Sequence, residues 1–409
     1  MSITPMVVEA DSRTFKTAAS FARFGYRSIV VEGGISALNP QELPFKLISL
    51  GIPFIGKMNT TVNIKNLVGS HQSLRILADR YATTLIGVLL FGAWRLHKII
   101  NFFLRPIPRM PKADLYYIHG FEFFPLAWTL SKFFRAAVFY EAHDFYSEIS
   151  NFEDMTPFDK RWIVPFKRKC EGRCFQLANT AITVCDSLAN QFERVFGILP
   201  HVLRNVHDNR LDRPIKKGIR DTLGLPPEIF LTLTIGTAKE GQAIDSTIAA
   251  AKQLPEDVHF AFLGKGYETH SEKVSDAGLK NRFHFLRPVL PFEVVPFSAS
   301  ADAALILYYP RSLNYRYALP NGFFQGIAAG LPTLYPDLFE IRRLAETYNL
   351  GFLIDPKNPD SISNAILRLL NMPSIRKDLA AGAIKARQDL SWEREEKKLQ
   401  SLVRTNVNM

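Results

Sequence analysis

The chain has 409 residues, of which 47% are hydrophobic and 22% are charged, a composition that excludes a disordered or fibrous protein and suggests two domains. The formal charge of +11 favours an anionic partner, but zinc-finger spacing, an RNP-like run and a long basic tail are all missing, so we expect no nucleic-acid binding. Three cysteines without a CxxC pair argue against a disulfide framework and a structural zinc site.

The N-terminal segment alternates predicted strands and helices. A strand over Met6–Glu9, a helix over Thr14–Arg23 and a strand over Ser28–Glu32 form a β-α-β opening. Asp11 and Arg13 fall in the loop at the carboxyl end of the first strand. The segment has no basic, apolar leader, so we expect a cytoplasmic protein.

The most hydrophobic segment is Ala82–Trp94, whose 13 residues are shorter than the roughly 20 of a membrane-spanning helix. Basic and aromatic side chains follow it directly, up to Lys112. This pattern predicts a helix that lies in the surface of an anionic bilayer through residues 82–112, at the inner face of the cytoplasmic membrane. A buried core helix with a solvated basic end explains the same pattern, and a membrane span fits it least well.

Polar residues follow two later strands of the same domain. His119 comes after the strand Asp114–Ile118, and His143 and Asp144 follow the strand Ala137–Glu141. A histidine at the carboxyl end of a strand can donate to an anionic or sugar oxygen. The alternative is structural: His119 would be a satisfied packing residue, and the pair after the second strand would cap the next helix.

Arg204–Pro214 is polar and closed by proline, which indicates an interdomain linker. The alternation of strands and helices then restarts. Gly236–Gly241 follows a predicted strand, and its glycines and Lys239 suit a phosphate. The triplet Gly264–Gly266 follows the next strand, and Lys239 could equally be a solvated loop residue.

The stretch Leu319–Thr333 (LPNGFFQGIAAGLPT) joins two predicted buried strands. Pro320 suits the first turn of a helix, and Gly330 suits its left-handed C-terminal cap. The N-terminus of this helix would direct unpaired amides to the carboxyl edge of the sheet, where phosphate ligands bind. An ordinary βαβ crossover is the simpler reading.

This stretch resembles the nucleotide-sugar segment of family 4 glycosyltransferases (RfaB-like group), which commonly reads PNK-x-FE-x-x-AAG-x-P. Gly322 stands where the family commonly has Lys, and Gln325 and Tyr317 stand where much of it has two Glu. Other segments resemble the family in the same order along the chain: YYIHG, YEAHD, RNVHD, FLGKG and the final SWE. The resemblance therefore covers nearly the whole chain.

The resemblance implies the GT-B architecture, an α/β fold of two doubly wound, Rossmann-like domains that face a cleft. Residues 1–205 would form the acceptor-side domain and 206–390 the nucleotide-sugar domain, with the helix 391–409 packing back on the first. It implies His119 as the catalytic residue and Asp11, Arg13, His143 and Asp144 on the cleft and acceptor side. The donor-binding residues it implies are Lys239, Gly236, Gly264, Gly266, Asn321, Gly322, Phe323 and Gln325.

The function implied by the resemblance is retaining transfer of a sugar from a nucleotide-diphosphate donor to a glycan acceptor. The hydrophobic, basic segment 82–112 suits a lipid-linked acceptor and surface polysaccharide assembly. Because the chain has neither an Asp-x-Asp nor a His/Cys metal spacing, we expect a site without metal or cofactor. A Rossmann-type oxidoreductase is disfavoured by the missing glycine fingerprint. The rival hypothesis is a catalytically silent scaffold of the same fold, motivated by the missing Glu pair.

Overall fold

A computed structural model describes residues 1–52, 76, 78–150 and 154–407 of the chain. The chain divides into two compact units, Met1–Leu203 with Lys398–Met409, and Arg204–Lys397. Each unit is an α/β domain built on one parallel sheet, which confirms the prediction of two doubly wound domains. Positions 408 and 409 of the predicted C-terminal helix lie outside the described residues.

The first unit contains a seven-stranded sheet in the order β3-β2-β1-β4-β5-β6-β7, and every neighbouring pair is parallel. The strands are β1 Ser2–Thr4, β2 Ile29–Glu32, β3 Lys46–Ser49, β4 Leu115–His119, β5 Ala137–Ala142, β6 Thr180–Thr183 and β7 His201–Val202. The helices are α1 Ser12–Arg23, α2 Leu85–Ile99, α3 Phe124–Phe134, α4 Val164–Leu177 and α5 Asp186–Phe196. A π-helical turn, Ile100–Leu104, extends α2, and another, Asp159–Ile163, precedes α4.

The predicted first strand, Met6–Glu9, is wrong by several residues. The strand lies earlier, at Ser2–Thr4, and Pro5 follows it directly. Because proline has no amide hydrogen to donate, the sheet pairing ends there. Val8–Ala10 instead forms a 3-10 turn, whose Val8 amide donates to Glu32 Oε2 at 2.8 Å.

The second unit contains a six-stranded parallel sheet in the order β10-β9-β8-β11-β12-β13. The strands are β8 Phe230–Ile235, β9 Val258–Leu263, β10 Phe283–Leu286, β11 Ala303–Leu305, β12 Thr333–Pro336 and β13 Gly351–Ile354. The helices are α6 Ile219–Leu223, α7 Ile244–Ala251, α8 Ser271–Asp276, α9 Val294–Ser298, α10 Leu313–Arg316, α11 Asn321–Ala328, α12 Phe339–Tyr348, α13 Pro359–Asn371 and α14 Pro373–Asp389. The last helix, α15 Trp392–Asn406, begins in the second unit and ends in the first.

Strand β8 shows why the second sheet is covered by helices on both faces. All six of its residues are buried, and successive side chains point to opposite faces of a strand. Phe230 packs into one hydrophobic cluster, whereas Leu231 and Leu233 pack into the other. A single fully buried strand therefore contributes to two cores, one on each side of the sheet.

Both strand orders reverse direction at one point. In the first sheet the chain builds outward in opposite directions from β1 and β4, and in the second sheet from β8 and β11. Open α/β sheets bind ligands at the carboxyl ends of the strands beside such a reversal. The loops after β1, β4, β8 and β11 are therefore the places to look for function, in each unit separately.

Candidate functional site

Asp11 orders the loop that follows β1 in the first unit. Its Oδ1 accepts the Thr14 amide at 3.1 Å, which caps the N-terminus of α1. Its Oδ2 accepts the hydroxyls of Thr4 and Thr14, at 2.7 and 2.6 Å. Both oxygens hold groups of the protein itself, so Asp11 fixes the loop and adds a negative charge there. Its contact with an acceptor stays a prediction.

Arg13 is buried inside the first unit, with 1% of its side chain exposed. Its Nη2 lies 2.6 Å from Glu141 Oε1 and donates to the Leu203 carbonyl at 2.8 Å. The Arg13 side chain is therefore held by groups of the first unit, and its place on the cleft and acceptor side stays a prediction. A buried carboxylate needs a buried cation, and Glu141 on β5 takes Arg13 for that purpose.

Glu141 is the centre of the polar cluster at this edge of the sheet. Besides Arg13, it accepts the Tyr117 hydroxyl on Oε2 at 2.6 Å. Burial alone would raise the pKa of Glu141, but Arg13 and the neighbouring His143 and His119 outweigh burial and hold the pKa well below its ordinary value. Glu141 is therefore a buried carboxylate that stays ionised.

His119 ends β4 beside this carboxylate, and it is buried as well. Its Nδ1 lies 3.1 Å from His143 Nε2 and 3.5 Å from Glu141 Oε2. Burial lowers the pKa of His119 to about 4, although Glu141 opposes the shift. Burial acts on His143 in the same direction, but Glu141 raises the pKa of His143 above its ordinary value. The structure thus brings three of the predicted residues, Arg13, His119 and His143, around Glu141, and a fourth, Asp11, interacts electrostatically with both histidines.

The structural alternative for the residues after β5 was helix capping. The next helical element is the 3-10 turn Tyr146–Glu148, whose first two amides donate to the side chain of Glu171 at 3.1 and 3.4 Å. His143 instead faces His119 and Glu141, as described above. Asp144 follows on the same loop and is partly exposed.

His119, Glu141 and His143 bring potential ligand atoms within 4.8 Å of one another, a spacing that a metal ion could use. Both Glu141 oxygens, however, already face protein groups, one the Arg13 guanidinium and the other the Tyr117 hydroxyl. The charge of Arg13 would repel a second cation beside it. The arrangement therefore favours a network of shared protons over a metal.

In the second unit, the loops after β8 and β9 lie against each other. The Gly236 amide donates to the Leu263 carbonyl at 3.0 Å, and the Ala238 amide to the Lys265 carbonyl at 2.8 Å. A Cβ at Gly264 would overlap the Gly236 carbonyl oxygen, so only glycine allows this approach. Gly266 lies beyond, with φ of +91°. The predicted glycine loops are thus one structure at the carboxyl edge.

Lys239 is exposed at the tip of the first glycine loop, and its amide donates to Gln242 Oε1 at 3.0 Å. The next residue, Glu240, connects this loop to the segment between β11 and α11. Its Oε2 accepts from Arg311 Nη1 at 2.8 Å, and its carbonyl accepts the Tyr315 hydroxyl at 2.8 Å. Two cations, Lys239 and Arg311, therefore border the glycine loops.

Helix α11 begins beside the same loops. A Cβ at Gly322 would overlap the carbonyl oxygen of Ile235, the last residue of β8. No side chain fits at position 322 unless this contact shifts. Asn321 is exposed in the first turn, and its Oδ1 accepts from Asn205 Nδ2 at 2.7 Å. Gln325, one turn later on the same face, is partly exposed.

Phe323 was predicted to contact the donor, but its side chain is fully buried and packs against Phe324. Its amide donates to the Pro320 carbonyl at 3.0 Å. The side chain therefore belongs to the interior of the second unit, and a role of position 323 in donor binding stays a prediction. Tyr317 packs edge-on against Phe339, with ring centroids 6.5 Å apart.

Sequence reasoning missed two functional candidates, Glu141 and Tyr117. Both lie inside predicted strands, Asp114–Ile118 and Ala137–Glu141, where only the residues that follow the strands were given a role. The signal that was available is the carboxylate itself, since an acidic residue is rarely buried in a strand unless it is paired.

Residues 230–372, within the second unit, match the family described as "Glycosyl transferases group 1". No curated protein sequence matches the chain.

Solved structures similar to the whole chain include sucrose-phosphate synthase from Thermosynechococcus elongatus, with a TM-score of 0.67, 15% identity and coverage of 99% of this chain and 98% of that one. Alr3699/HepE from Anabaena, in complex with UDP and glucose, has a TM-score of 0.66 and 15% identity over 99% and 100% of the two chains. WaaG, a glycosyltransferase involved in lipopolysaccharide biosynthesis, has a TM-score of 0.64 and 15% identity over 98% and 97%. The chain therefore has the GT-B fold, and its second unit carries a glycosyltransferase domain.

Proposed function

We propose that this glycosyltransferase moves a sugar from a nucleoside-diphosphate donor, held by the second unit, to a lipid-linked glycan acceptor. The observation that carries the proposal is the convergence of the two glycine loops and the start of α11 at the reversal point of the second sheet. The Anabaena structure was solved with UDP-glucose, and WaaG acts in lipopolysaccharide biosynthesis. These neighbours support a sugar nucleotide as donor and surface polysaccharide assembly as the pathway, with family 4 as the family.

The leaving diphosphate would lie at the N-terminus of α11. The first amides of a helix lack partners within it, and the helix dipole adds about half a positive charge there. Gly322 lets this end approach β8 closely, and Lys239 supplies a positive charge at the neighbouring loop, where Arg311 is paired with Glu240. Such fixed donors stabilise the charge that develops as the sugar–phosphate bond breaks, with no metal required. We propose transfer with retention, the outcome that the family resemblance implies.

Donor binding is tested by isothermal titration of the purified protein with UDP, GDP and their sugars. Gln325→Glu gives the sharper result, because a carboxylate is a charged acceptor for ribose hydroxyls. We expect about tenfold tighter binding, equivalent to roughly 1–2 kcal/mol. Gln388→Glu, at an exposed position of α14, is the matched control and should leave the donor affinity unchanged. Weaker binding by Gln325→Glu would contradict the ribose role, and no binding by any donor would favour the silent scaffold.

The acceptor side is proposed to meet an anionic bilayer through helix α2 and the turns after it. Leu85–Arg109 is long and apolar enough to cross a membrane by length and composition, and only 17% of its most apolar window is buried. Leu85 and Leu89 are 73% and 63% exposed. A buried core helix would hide these side chains, so their exposure supports the membrane surface over the buried-core alternative.

Contacts with the first unit support a helix that lies on the surface over one that crosses the bilayer. Phe91 stacks on Trp162, with ring centroids 5.3 Å apart, and Trp94 meets Phe166 at 5.6 Å. Arg95 lies 5.2 Å over the Phe166 ring. The Phe91–Arg95 turn of α2 thus packs on Trp162 and Phe166, while apolar and basic side chains of the same helix remain exposed. That combination suits anionic lipid headgroups and the acyl chains beneath them.

Flotation with vesicles of neutral and of anionic lipid tests this surface. We expect the protein to float with anionic vesicles, and the Leu85→Ser/Leu89→Ser variant to lose flotation. Ile384→Ser removes a comparably exposed apolar side chain from α14 and is the control. Protein that stays at the bottom with both vesicle types would overturn the membrane contact and leave the donor proposal standing.

A further inference from the structure

His119 and His143 form a pair that holds one proton between two ring nitrogens. His119 Nδ1 and His143 Nε2 are 3.1 Å apart, a hydrogen-bond distance that requires one nitrogen to donate and the other to accept. If His119 accepts, its own proton lies on Nε2. If His119 donates, its Nε2 is a bare acceptor. The position of that single proton decides what His119 offers to a ligand.

The charged groups around the pair come from three elements. Glu141 on β5 lies 3.5 Å from both ring nitrogens, through Oε1 to His143 and Oε2 to His119. Oε2 also accepts the Tyr117 hydroxyl from β4 at 2.6 Å. From the β1 side, Asp11 adds a negative charge and Arg13 a positive one. Two carboxylates and one guanidinium leave one negative charge over, which a protonated histidine would balance.

His143 is the better place for that positive charge. A quarter of its side chain is exposed, against 1% for His119, so its charge loses less hydration. The opposite pKa shifts of the two rings, raised for His143 and lowered for His119, agree with this placement. A doubly protonated His143 can only donate, and His119 Nδ1 must then accept.

We infer that Glu141 is a positioning residue that, through His143, holds His119 as the neutral tautomer with its proton on Nε2. His119 Nε2 is buried and has no hydrogen-bond partner among the described residues. It would therefore present a single fixed N–H donor to a hydroxyl or ring oxygen of the sugar, rather than act as a general acid or base. This last step rests on the proposed function, whereas the tautomer does not.

The tautomer is measured by ¹⁵N NMR of the full chain labelled in its nine histidines, with His119 and His143 assigned through His119→Asn and His143→Asn. At neutral pH we expect a protonated Nε2 and a bare Nδ1 for His119, and both nitrogens protonated for His143. A His119 ring protonated on Nδ1 overturns the inference. The measurement needs no donor, so it stands or falls separately from the proposed function.

Glu141→Gln tests the positioning role. We expect His143 to lose its extra proton near neutral pH, and part of the His119 population to move its proton to Nδ1. Sugar transfer should then fall about 10-fold to 100-fold, with the donor Kd changed by less than about twofold, as when a residue that orients a functional histidine is lost. Glu148→Gln, at a partly exposed pair with Arg168, is the control and should change neither.

A second variant covers the case in which Glu141→Gln does not fold because Arg13 is left unpaired. Arg13→Met/Glu141→Gln removes both charges together and should still show the changed His119 signal. Unchanged His119 signals in either folded variant would overturn the role of Glu141. If the tautomer is as expected but no sugar nucleotide binds, the proposed function fails and the positioning inference survives.

Discussion

Gly326 sets the distance between α11 and the second sheet, and Gly326→Ala should move the helix. A Cβ at position 326 would lie 2.8 Å from the Ala304 Cβ on β11. Carbon atoms pack at about 3.5–4.0 Å, so helix and strand must separate by roughly 1 Å. Overpacking of this kind costs about 1–3 kcal/mol, against a gain of about 1 kcal/mol in helix propensity.

The separation matters because the same helix begins at the proposed diphosphate site. A displacement of about 1 Å can cost on the order of 100-fold where geometry is demanding. We therefore expect Gly326→Ala to lower the urea midpoint and to weaken UDP binding at least tenfold, measured by titration calorimetry.

The double variant Gly326→Ala/Ala304→Gly exchanges the two side chains across the contact and should recover most of the UDP affinity. Gly92→Ala is the control, because a Cβ there meets nothing within 4 Å and should stabilise its helix. The packing argument is refuted if Gly326→Ala, like Gly92→Ala, lowers neither the urea midpoint nor the UDP affinity. It is also refuted if the double variant recovers no UDP affinity.

Three further predictions concern the first unit. Arg13→Met should destabilise it by about 3–5 kcal/mol in urea unfolding because it leaves Glu141 buried and unpaired, whereas Arg168→Met, at an exposed pair, should have a small effect. Lowering the pH from 6.5 to 4 should also destabilise this unit, because the unfolded chain takes up a proton on His119 that the folded chain refuses until about pH 4. In His119→Asn, the free energy of unfolding should depend less steeply on pH over this range. An unchanged pH dependence would show that other groups cause it. Glu171→Ala should lower the unfolding midpoint, since its carboxylate accepts two amides of the turn after β5, at 3.1 and 3.4 Å, and an unchanged midpoint would contradict this role.

The sequence predicted most of the fold because its strands are short apolar runs separated by polar turns. Strand β8 lies directly before Gly236, where a strand was predicted, and all six of its residues are buried. Strand β3, Lys46–Ser49, was missed because it is half-exposed and begins with a charged residue. Helix α4 was missed too, since its charged and apolar residues show little amphipathic order.

The sequence predicted those site residues that directly follow a strand. It was less informative about residues whose direction depends on packing. His119, His143 and the glycine loops all follow apolar runs, and the parallel sheet then brings them to one edge in each unit. The directions of Arg13 and Phe323 were not predictable, because one residue more or less in a loop or helix turns a side chain inward. Glu141 could be recognised as a site residue only together with its partner Arg13, which is distant in sequence.

The outward face of α2 has a practical consequence for handling the protein. Without lipid, the leucines on this face of the helix are exposed to water. An exposed hydrophobic surface of this size favours self-association of the protein. We expect the elution volume on a sizing column to depend on the loaded amount, and a trace of mild detergent to abolish that dependence. Serine replacements at the two most outward leucines should make the detergent unnecessary.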